Sequence, residues 1–106
     1  MTVLKLFADV LQEHCTGKKN GALFVSVAEE SENLIRFFFK DGNISAISYG
    51  PVKDKECLEI LDCYNLGKAI YFDGMKAPLA SAELPPTNAI ISMIRKSGKQ
   101  VQVEVR

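Results

Sequence analysis

The sequence has no excess charge of either sign, because thirteen lysines and arginines balance thirteen aspartates and glutamates over 106 residues. Binding to the phosphate backbone of a nucleic acid needs a basic excess, and so does a polybasic patch for an anionic membrane surface. The balance therefore argues against both as partners. It also leaves self-association open, since a protein of zero net charge has little colloidal repulsion.

Histidine and cysteine are scarce in this sequence. The chain has one histidine, His14, and three cysteines, Cys15, Cys57 and Cys63. Cys57 and Cys63 are six residues apart, which is not the spacing of a zinc or redox pair. An odd number of cysteines favours reduced thiols, buried as small apolar side chains, in a cytoplasmic protein. His14 and Cys15 would point about 100° apart on a helix, so they cannot act together as nucleophile and base, and we expect no catalytic residues. A four-ligand zinc site would need His14 and all three cysteines in one place, and we expect no metal and no cofactor.

Long apolar runs are also absent from the sequence. No run approaches the roughly 18 residues of a membrane-spanning helix, and Asp9 interrupts any apolar core of a signal peptide. Hydrophobic residues are 47% and charged residues 25% of the chain, as in an ordinary globular protein. We therefore expect a single domain over residues 1–106, without membrane insertion, in the cytoplasm.

Residues 35–50 predict a β-hairpin around which the chain is organised. Asp41-Gly42 lies between two alternating apolar runs, and glycine accepts the positive φ that a two-residue turn requires. The turn places Lys40 opposite Asn43, and the rest of the pairing then follows by counting outward. This count predicts the face of the sheet on which each side chain lies.

One face of the predicted hairpin, where Phe37 lies opposite Ala46, is expected to line the core. The other face is too apolar for a solvated surface and includes a phenylalanine from the preceding strand. Its members, which form the predicted interaction surface, are Phe24, Arg36, Phe38, Ile47 and Tyr49. Aromatic residues with an arginine are typical of interface hot spots. The alternative is that a helix, most obviously the third, covers this face as a second core.

Periodicity and turn residues predict the other elements. In order, we expect a helix over 2–16, a strand over 22–28, the hairpin, a helix over 54–65, a strand over 68–73, a loop over 74–86, a helix over 87–97 and a strand over 99–106. Thr2, Asp54 and Thr87 are the expected helix caps. The fold class is α+β in the order α-β-β-β-α-β-α-β, with helices packed on a mainly antiparallel sheet that contains a β-meander.

Two details of the C-terminal part have consequences for binding. The third helix carries Ile90, Met93 and Ile94 as its apolar stripe. The terminal strand alternates valines with polar residues. It forms either an exposed edge that can pair with another chain or a strand that is paired within its own sheet.

Several segments together resemble the PATAN domain, a small module of bacterial signalling proteins. They are FADVL at 7–11, GAL at 21–23, FKDGNISA at 39–46, and Leu58, Leu61, Tyr64, Gly67 and Tyr71. The resemblance covers roughly residues 4–75. It departs from the family at Tyr64, where tryptophan is frequent, at Ala69, where an aromatic residue is usual, and in the terminal strand. It implies protein interaction in bacterial signalling, linked in some members to surface motility and type IV pili, and no catalytic residues.

The expected function is therefore that of a non-catalytic protein–protein interaction or adaptor module in bacterial signalling or motility regulation. The partner would be another protein or a second copy of the chain. A small-ligand sensor with a pocket between helices and sheet is the alternative. Interaction predicts an exposed apolar patch, whereas ligand sensing predicts a large cavity lined by a few convergent polar groups.

Overall fold

The structure is a computed structural model that describes residues 1–50, 52–53, 55–61, 63–76 and 84–104, with the side chains of 30–33, 53, 55 and 60 left out. The described elements are β1 (Thr2–Leu6), α1 (Phe7–Thr16), β2 (Gly21–Val27), β3 (Glu30–Lys40), β4 (Asn43–Tyr49), β5 (Val52–Lys53), α2 (Lys55–Leu61), β6 (Leu66–Asp73), α3 (Thr87–Ser97) and β7 (Gln100–Glu104). The α+β class is confirmed. The predicted element order is wrong because it lacks β1 and β5.

The described strands form one seven-stranded sheet in the order β1-β7-β6-β2-β3-β4-β5. Its pairs are antiparallel except for β6 with β7, which run parallel. The sheet is therefore mixed, with the β2-β3-β4 meander at its centre. The parallel pair arises because the chain leaves β6, passes through α3 and returns as β7.

The N-terminal segment is a strand followed by a helix, and the prediction of one helix over 2–16 is wrong. Residues of β1 pair with β7, as in Val3↔Val103. The helix begins at Phe7, whose N–H donates to the Lys99 carbonyl at 2.9 Å. Thr2 lies in β1 and does not cap a helix. Residues 2–6 form a strand rather than a helix because they pair with β7, which comes from the other end of the chain.

The terminal strand lies inside the sheet. β7 has β1 on one side and β6 on the other, so its prediction as an exposed edge is wrong and its pairing within the sheet is confirmed. The last residues predicted for this strand, 105–106, lie outside the described residues.

The hairpin turn is confirmed. Lys40 pairs with Asn43, and both Asp41 and Gly42 have positive φ, at 52° and 82°. Two central residues with positive φ form the tight reversal whose twist matches that of the flanking strands.

The predicted hairpin register is wrong beyond the first pairs, because Ser45 forms a β-bulge. Phe38 pairs with Ala46 rather than Ser45, and each following partner on β4 is displaced by one residue. The Ser45 hydroxyl donates to the Phe38 carbonyl at 3.2 Å. A bulge adds one unpaired residue to one strand and leaves the other unchanged. Ile47 is consequently opposite Phe37 and not Arg36.

The main core lies between one face of the sheet and the helices. Apolar residues of α1, α2 and α3 belong to the same buried cluster as those of β2, β3 and β4. At its centre the rings of Phe7 and Phe37 meet edge to face, with centroids 5.2 Å apart. Such a pair stabilises the core by about 1 kcal/mol beyond the area it buries.

The helix α3 contributes Ile90, Ile91 and Ile94 to this cluster. Met93, predicted to be in the apolar stripe, is 51% exposed. Thr87 does not cap the helix through its side chain. Its hydroxyl instead accepts a hydrogen bond from the Ile44 N–H at 3.0 Å, which fixes the start of α3 to the start of β4.

The second helix is shorter than predicted and ends at Leu61. Its expected cap, Asp54, lies outside the described residues, as does part of the loop predicted over 74–86. β6 begins at Leu66, two residues before the predicted start. None of the helices that the structure describes is long and apolar enough to span a membrane.

Candidate functional site

The predicted interaction surface is divided between the two faces of the sheet. Ile47 and Tyr49 are buried in the main core, so their assignment to this surface is wrong. Phe24, Arg36 and Phe38 stay together on the opposite face, where Phe24 and Phe38 belong to a second, smaller cluster. The physical reason is the bulge, which changes the side of the sheet to which the later β4 side chains point.

The strand β6 adds two large side chains to this face. Ile70 is paired with Phe24, and Phe72 with Ala22. Ile70 is 53% exposed and Phe72 is 41% exposed. We call the set of Phe24, Arg36, Phe38, Ile70 and Phe72 the aromatic face. Alternation along the strand predicts Ile70 and Phe72 on the same side of β6, but no local signal in the sequence predicts that β6 lies beside β2.

Contacts within the aromatic face join all three strands. The rings of Phe24 and Phe72 have centroids 4.9 Å apart. The Cζ of Arg36 lies 5.3 Å from the centroid of Phe24. A cation at this distance from an exposed ring is attracted by roughly 0.5–1 kcal/mol. The Phe24 ring is therefore in contact with the guanidinium group of Arg36 and with the ring of Phe72.

The centre of this face is buried. Phe38 is 6% exposed and packs with Ala22 and Ala46. The second cluster contains no helix residue among those that the structure describes, and the buried residues of α3 belong to the main core. The prediction that the third helix covers this face is therefore wrong for the described residues of α3.

A groove of about 940 Å³ opens where β6 and β7 separate. Lys68↔Gln102 is the one pair of residues that joins these strands in the part of the chain that the structure describes. The groove is lined by Met1 and by residues of β1, α1, β2, β6 and β7. Its apolar lining includes Val10, Leu23, Ala69, Ile70 and Val103, and the charged or polar lining residues are Lys5, Glu13, His14, Tyr71 and Glu104. It is the feature that a ligand sensor would use.

His14 and Tyr71 form one wall of this groove. Their rings are stacked, with centroids 4.5 Å apart and an angle of 17° between the planes. Burial lowers the pKa of His14; nearby Glu13 raises it and Lys19 lowers it further. Burial also raises the pKa of Tyr71, helped by its hydrogen bond to the Asp73 carboxylate at 3.2 Å. Both rings are therefore kept uncharged at neutral pH.

Charged groups at the groove are paired with each other. The Lys5 ammonium lies 3.3 Å from the Glu13 carboxylate. The amino terminus of Met1 lies 3.9 Å from the Glu104 carboxylate. Among the lining residues that the structure describes, these positive and negative charges balance.

The thiols are spread over the molecule. Cys57 is buried as predicted, Cys15 is half-buried and Cys63 is exposed, so the prediction of burial is wrong for Cys63. Burial raises the pKa of Cys15, which lowers its thiolate fraction and its reactivity at neutral pH. Among the described residues, no three His, Cys, Asp or Glu side chains are grouped in a way that could hold a metal ion.

Comparisons with protein-family models, with curated proteins and with solved structures found no match. The resemblance to the PATAN domain stays a prediction. The aromatic face and the groove are the features from which a function can be inferred.

Proposed function

We propose that the protein is a non-catalytic interaction module that binds another protein, or a second copy of itself, through the aromatic face. The observation that carries this proposal is the side-by-side exposure of Ile70 and Phe72 next to Phe24 and Arg36. Exposed apolar side chains that lie singly need no explanation, but an adjoining set with aromatic residues and an arginine has the composition of a binding hot spot.

Apolar surface that is still exposed on this face can add to the free energy of binding. Full burial of a Phe or Ile side chain stabilises by about 1.5–3 kcal/mol, and roughly half of Ile70 and Phe72 is still exposed. A partner that covers both would therefore gain about 2 kcal/mol from these two side chains. The buried residues Ala22, Phe38 and Ala46 lie beside the exposed ones, and Phe24 packs against them.

The setting we propose is bacterial signalling or motility regulation in the cytoplasm. The support is the resemblance of residues 4–75 to the PATAN domain, together with the balanced charge of the chain. A role as a docking module for a signalling protein is consistent with an interaction surface on a sheet rather than in a deep pocket.

The test is to replace Phe72 with glutamate and to measure self-association by sedimentation velocity over a concentration series, and partner binding by pull-down from the native cell. A charge on this face opposes burial against an apolar partner, so we expect the variant to lose self-association or partner capture at least tenfold. Phe38 is not suitable because it is buried and its replacement would disturb the fold.

The matched control is Met93→Glu, since Met93 is also a large exposed apolar residue but lies on α3. We expect this variant to bind as the wild type does. A wild type that is monomeric at all concentrations and captures the same proteins as Phe72→Glu would overturn the proposal.

A small-ligand sensor is the second candidate, and the groove between β6 and β7 is the observation that favours it. Its volume of about 940 Å³ lies within the range of ligand pockets. A ligand there would contact His14 and Tyr71 and would bind equally well to Phe72→Glu. Tyrosine fluorescence titrated with candidate metabolites distinguishes this function from interaction through the aromatic face.

A further inference from the structure

Two cations border the apolar part of the aromatic face. Arg36 on β3 is opposite Phe24, and Phe24 is opposite Ile70 on β6, so these residues form one row across the sheet. Lys68 lies two residues before Ile70 on β6, and its side chain is therefore on the same face. From strand spacing and rise, Arg36 is about 10 Å and Lys68 about 7 Å from Ile70. One positive charge thus lies across the strands and the other along β6.

Both cations are available to a partner. Their side chains are exposed, and neither forms an ion pair with another residue that the structure describes. Glu104 has its carboxylate on the same side of the sheet, since it follows Gln102, the partner of Lys68, by two residues. This carboxylate lies 3.9 Å from the amino terminus of Met1, which balances it. The described side chains around the aromatic face therefore carry a local positive surplus.

This surplus argues against a second copy of the chain as the occupant. In a two-fold dimer the same surface of each copy faces the other, so Arg36 and Lys68 of both copies would be brought together. Like charges that meet across an interface are unfavourable, whereas a partner with carboxylates is complementary to both cations. The charges therefore favour an acidic partner.

The position of the aromatic face within the sheet favours a helix as the docking element. The strands that carry this face, β2, β3 and β6, each have a neighbouring strand on both sides. A segment that lies on the face meets side chains rather than unpaired backbone groups, so it must satisfy its own backbone hydrogen bonds, as a helix does. Strand geometry puts Arg36 and Lys68 about 12 Å apart, and a helix with its side chains is about 10–12 Å wide.

We propose that the partner bound by the aromatic face is an acidic amphipathic helix of another protein. Its apolar stripe covers Phe24, Ile70 and Phe72, and the Asp or Glu residues beside the stripe pair with Arg36 and Lys68. This inference rests on the proposed function, because it states the chemistry of the protein partner at the same face. Helices already cover the opposite face of the sheet, so the docked helix completes a third layer.

The first experiment selects ligands for the complete chain from a phage library of random peptides about 16 residues long. We expect enriched sequences with apolar residues at positions i, i+3 or i+4, and i+7, and with an excess of Asp and Glu. Circular dichroism of a synthetic consensus peptide should show more helix when the protein is added. A failure to enrich any peptide, or enrichment of peptides without the helical period or the acidic excess, would overturn the proposal.

The second experiment reverses single charges and measures the affinity of the consensus peptide by fluorescence anisotropy. We expect Arg36→Glu and Lys68→Glu each to weaken binding at least about tenfold. The matched control is Lys96→Glu, because Lys96 is an exposed lysine of α3 and its reversal changes the net charge equally. It should change the affinity by less than about threefold.

A reversed peptide separates charge from structural damage. When lysine replaces the acidic residues of the consensus peptide, Lys68→Glu should bind it more tightly than the wild type does. Lys68 is exposed, so this variant keeps the fold. Equal affinities of wild type, Lys68→Glu and Lys96→Glu for either peptide would show that the cations take no part in binding.

Failure of this inference and failure of the proposed function give different results. If Phe72→Glu loses its partners while the charge variants keep theirs, the acidic helix is wrong and the aromatic face still binds protein. If Phe72→Glu and the wild type capture the same proteins and bind the consensus peptide equally, both proposals fail.

Two further results would replace the occupant and overturn the inference. Self-association that Phe72→Glu abolishes would mean that a second copy occupies the face. Binding of a labelled single-stranded oligouridylate that is tighter than binding of the consensus peptide would mean that exposed aromatic rings and cations stack and pair with nucleic acid.

Discussion

At the scale of single residues, Gly42 is the position where the turn depends most on one side chain being absent. Its φ is 82°, in the region that favours glycine. A Cβ placed on it would lie 2.5 Å from the carbonyl oxygen of Cys15, at the end of α1. Its N–H donates to the Lys19 carbonyl at 3.2 Å. The hairpin turn is thus fixed against the first helix by backbone contacts that leave no room for a methyl group.

We expect Gly42→Ala to lower the free energy of unfolding by about 3 kcal/mol, measured by urea denaturation. About 1 kcal/mol comes from the left-handed backbone and the rest from the clash. Gly74→Ala is the matched control, since Gly74 has a φ of 77° and nothing within 4 Å of its added Cβ. It should lose only about 1 kcal/mol. Equal losses in the two variants would contradict the role of the contact with α1.

At the scale of elements, the bulge at Ser45 decides which side chains of β4 reach the core. Beyond it, the inward positions are those of Ile47 and Tyr49. A regular strand that includes Ser45 would turn Ile47 and Tyr49 away from the core. If Ser45 were removed, Ala46 would follow Ile44 directly, and simple alternation would place Ile47 and Tyr49 on the core face as observed. The bulge therefore corrects the pattern of β4 and also increases its local twist.

This leads us to expect that deletion of Ser45 is tolerated. A regular hairpin would form with the observed pairs beyond the turn, at a cost of about 1–2 kcal/mol for the lost hydrogen bond and twist. Deletion of Ser48, a half-buried serine of the same strand, is the control. It would move Tyr49 to the other face and cost at least about 3 kcal/mol. Urea denaturation of both variants checks this, and a more stable Ser48 deletion would contradict the register.

The elements that the sequence predicts correctly are those with local signals. The reversal at Asp41-Gly42 and the end of α3 at Gly98 follow from residues that accept positive φ, and the structure has them there. The identity of β1 could not be predicted, because its partner is β7 at the other end of the chain. For the same reason the aromatic face was predicted only in part: its β6 members are placed by the pairing of β6 with β2.

At the scale of the whole molecule, the burial of His14 contributes to the pH dependence of stability near neutrality. His14 is the single histidine of the chain. Its pKa is lowered in the folded protein, chiefly by burial. The unfolded chain therefore takes up this proton at a higher pH than the folded protein does. The free energy of unfolding must then rise with pH from the lowered pKa up to the ordinary value of about 6.5, and this stability is lost as the pH falls through the same window.

We expect the melting temperature to rise as the pH increases towards about 6.5, and the rise to be smaller in His14→Gln. Glutamine keeps a polar, uncharged group of similar size beside Tyr71 but takes up no proton. The comparison removes the contribution of carboxylates, which titrate mostly at lower pH and are common to both proteins. Scanning calorimetry at several pH values measures the difference. Identical slopes would show that the histidine is equally solvated in both states.

The pairing of the first strand with the last has a consequence for the synthesis of the protein. Thr2 lies opposite Glu104, and the first N–H of α1 is bonded to the Lys99 carbonyl. These contacts have almost the greatest sequence separation that the chain allows, and closing so long a loop is slow. Until residues 99–104 have been synthesised, β1 lacks its partner strand and the Phe7 N–H lacks its acceptor. The nascent chain must therefore expose the pairing edge of β1 until β7 emerges.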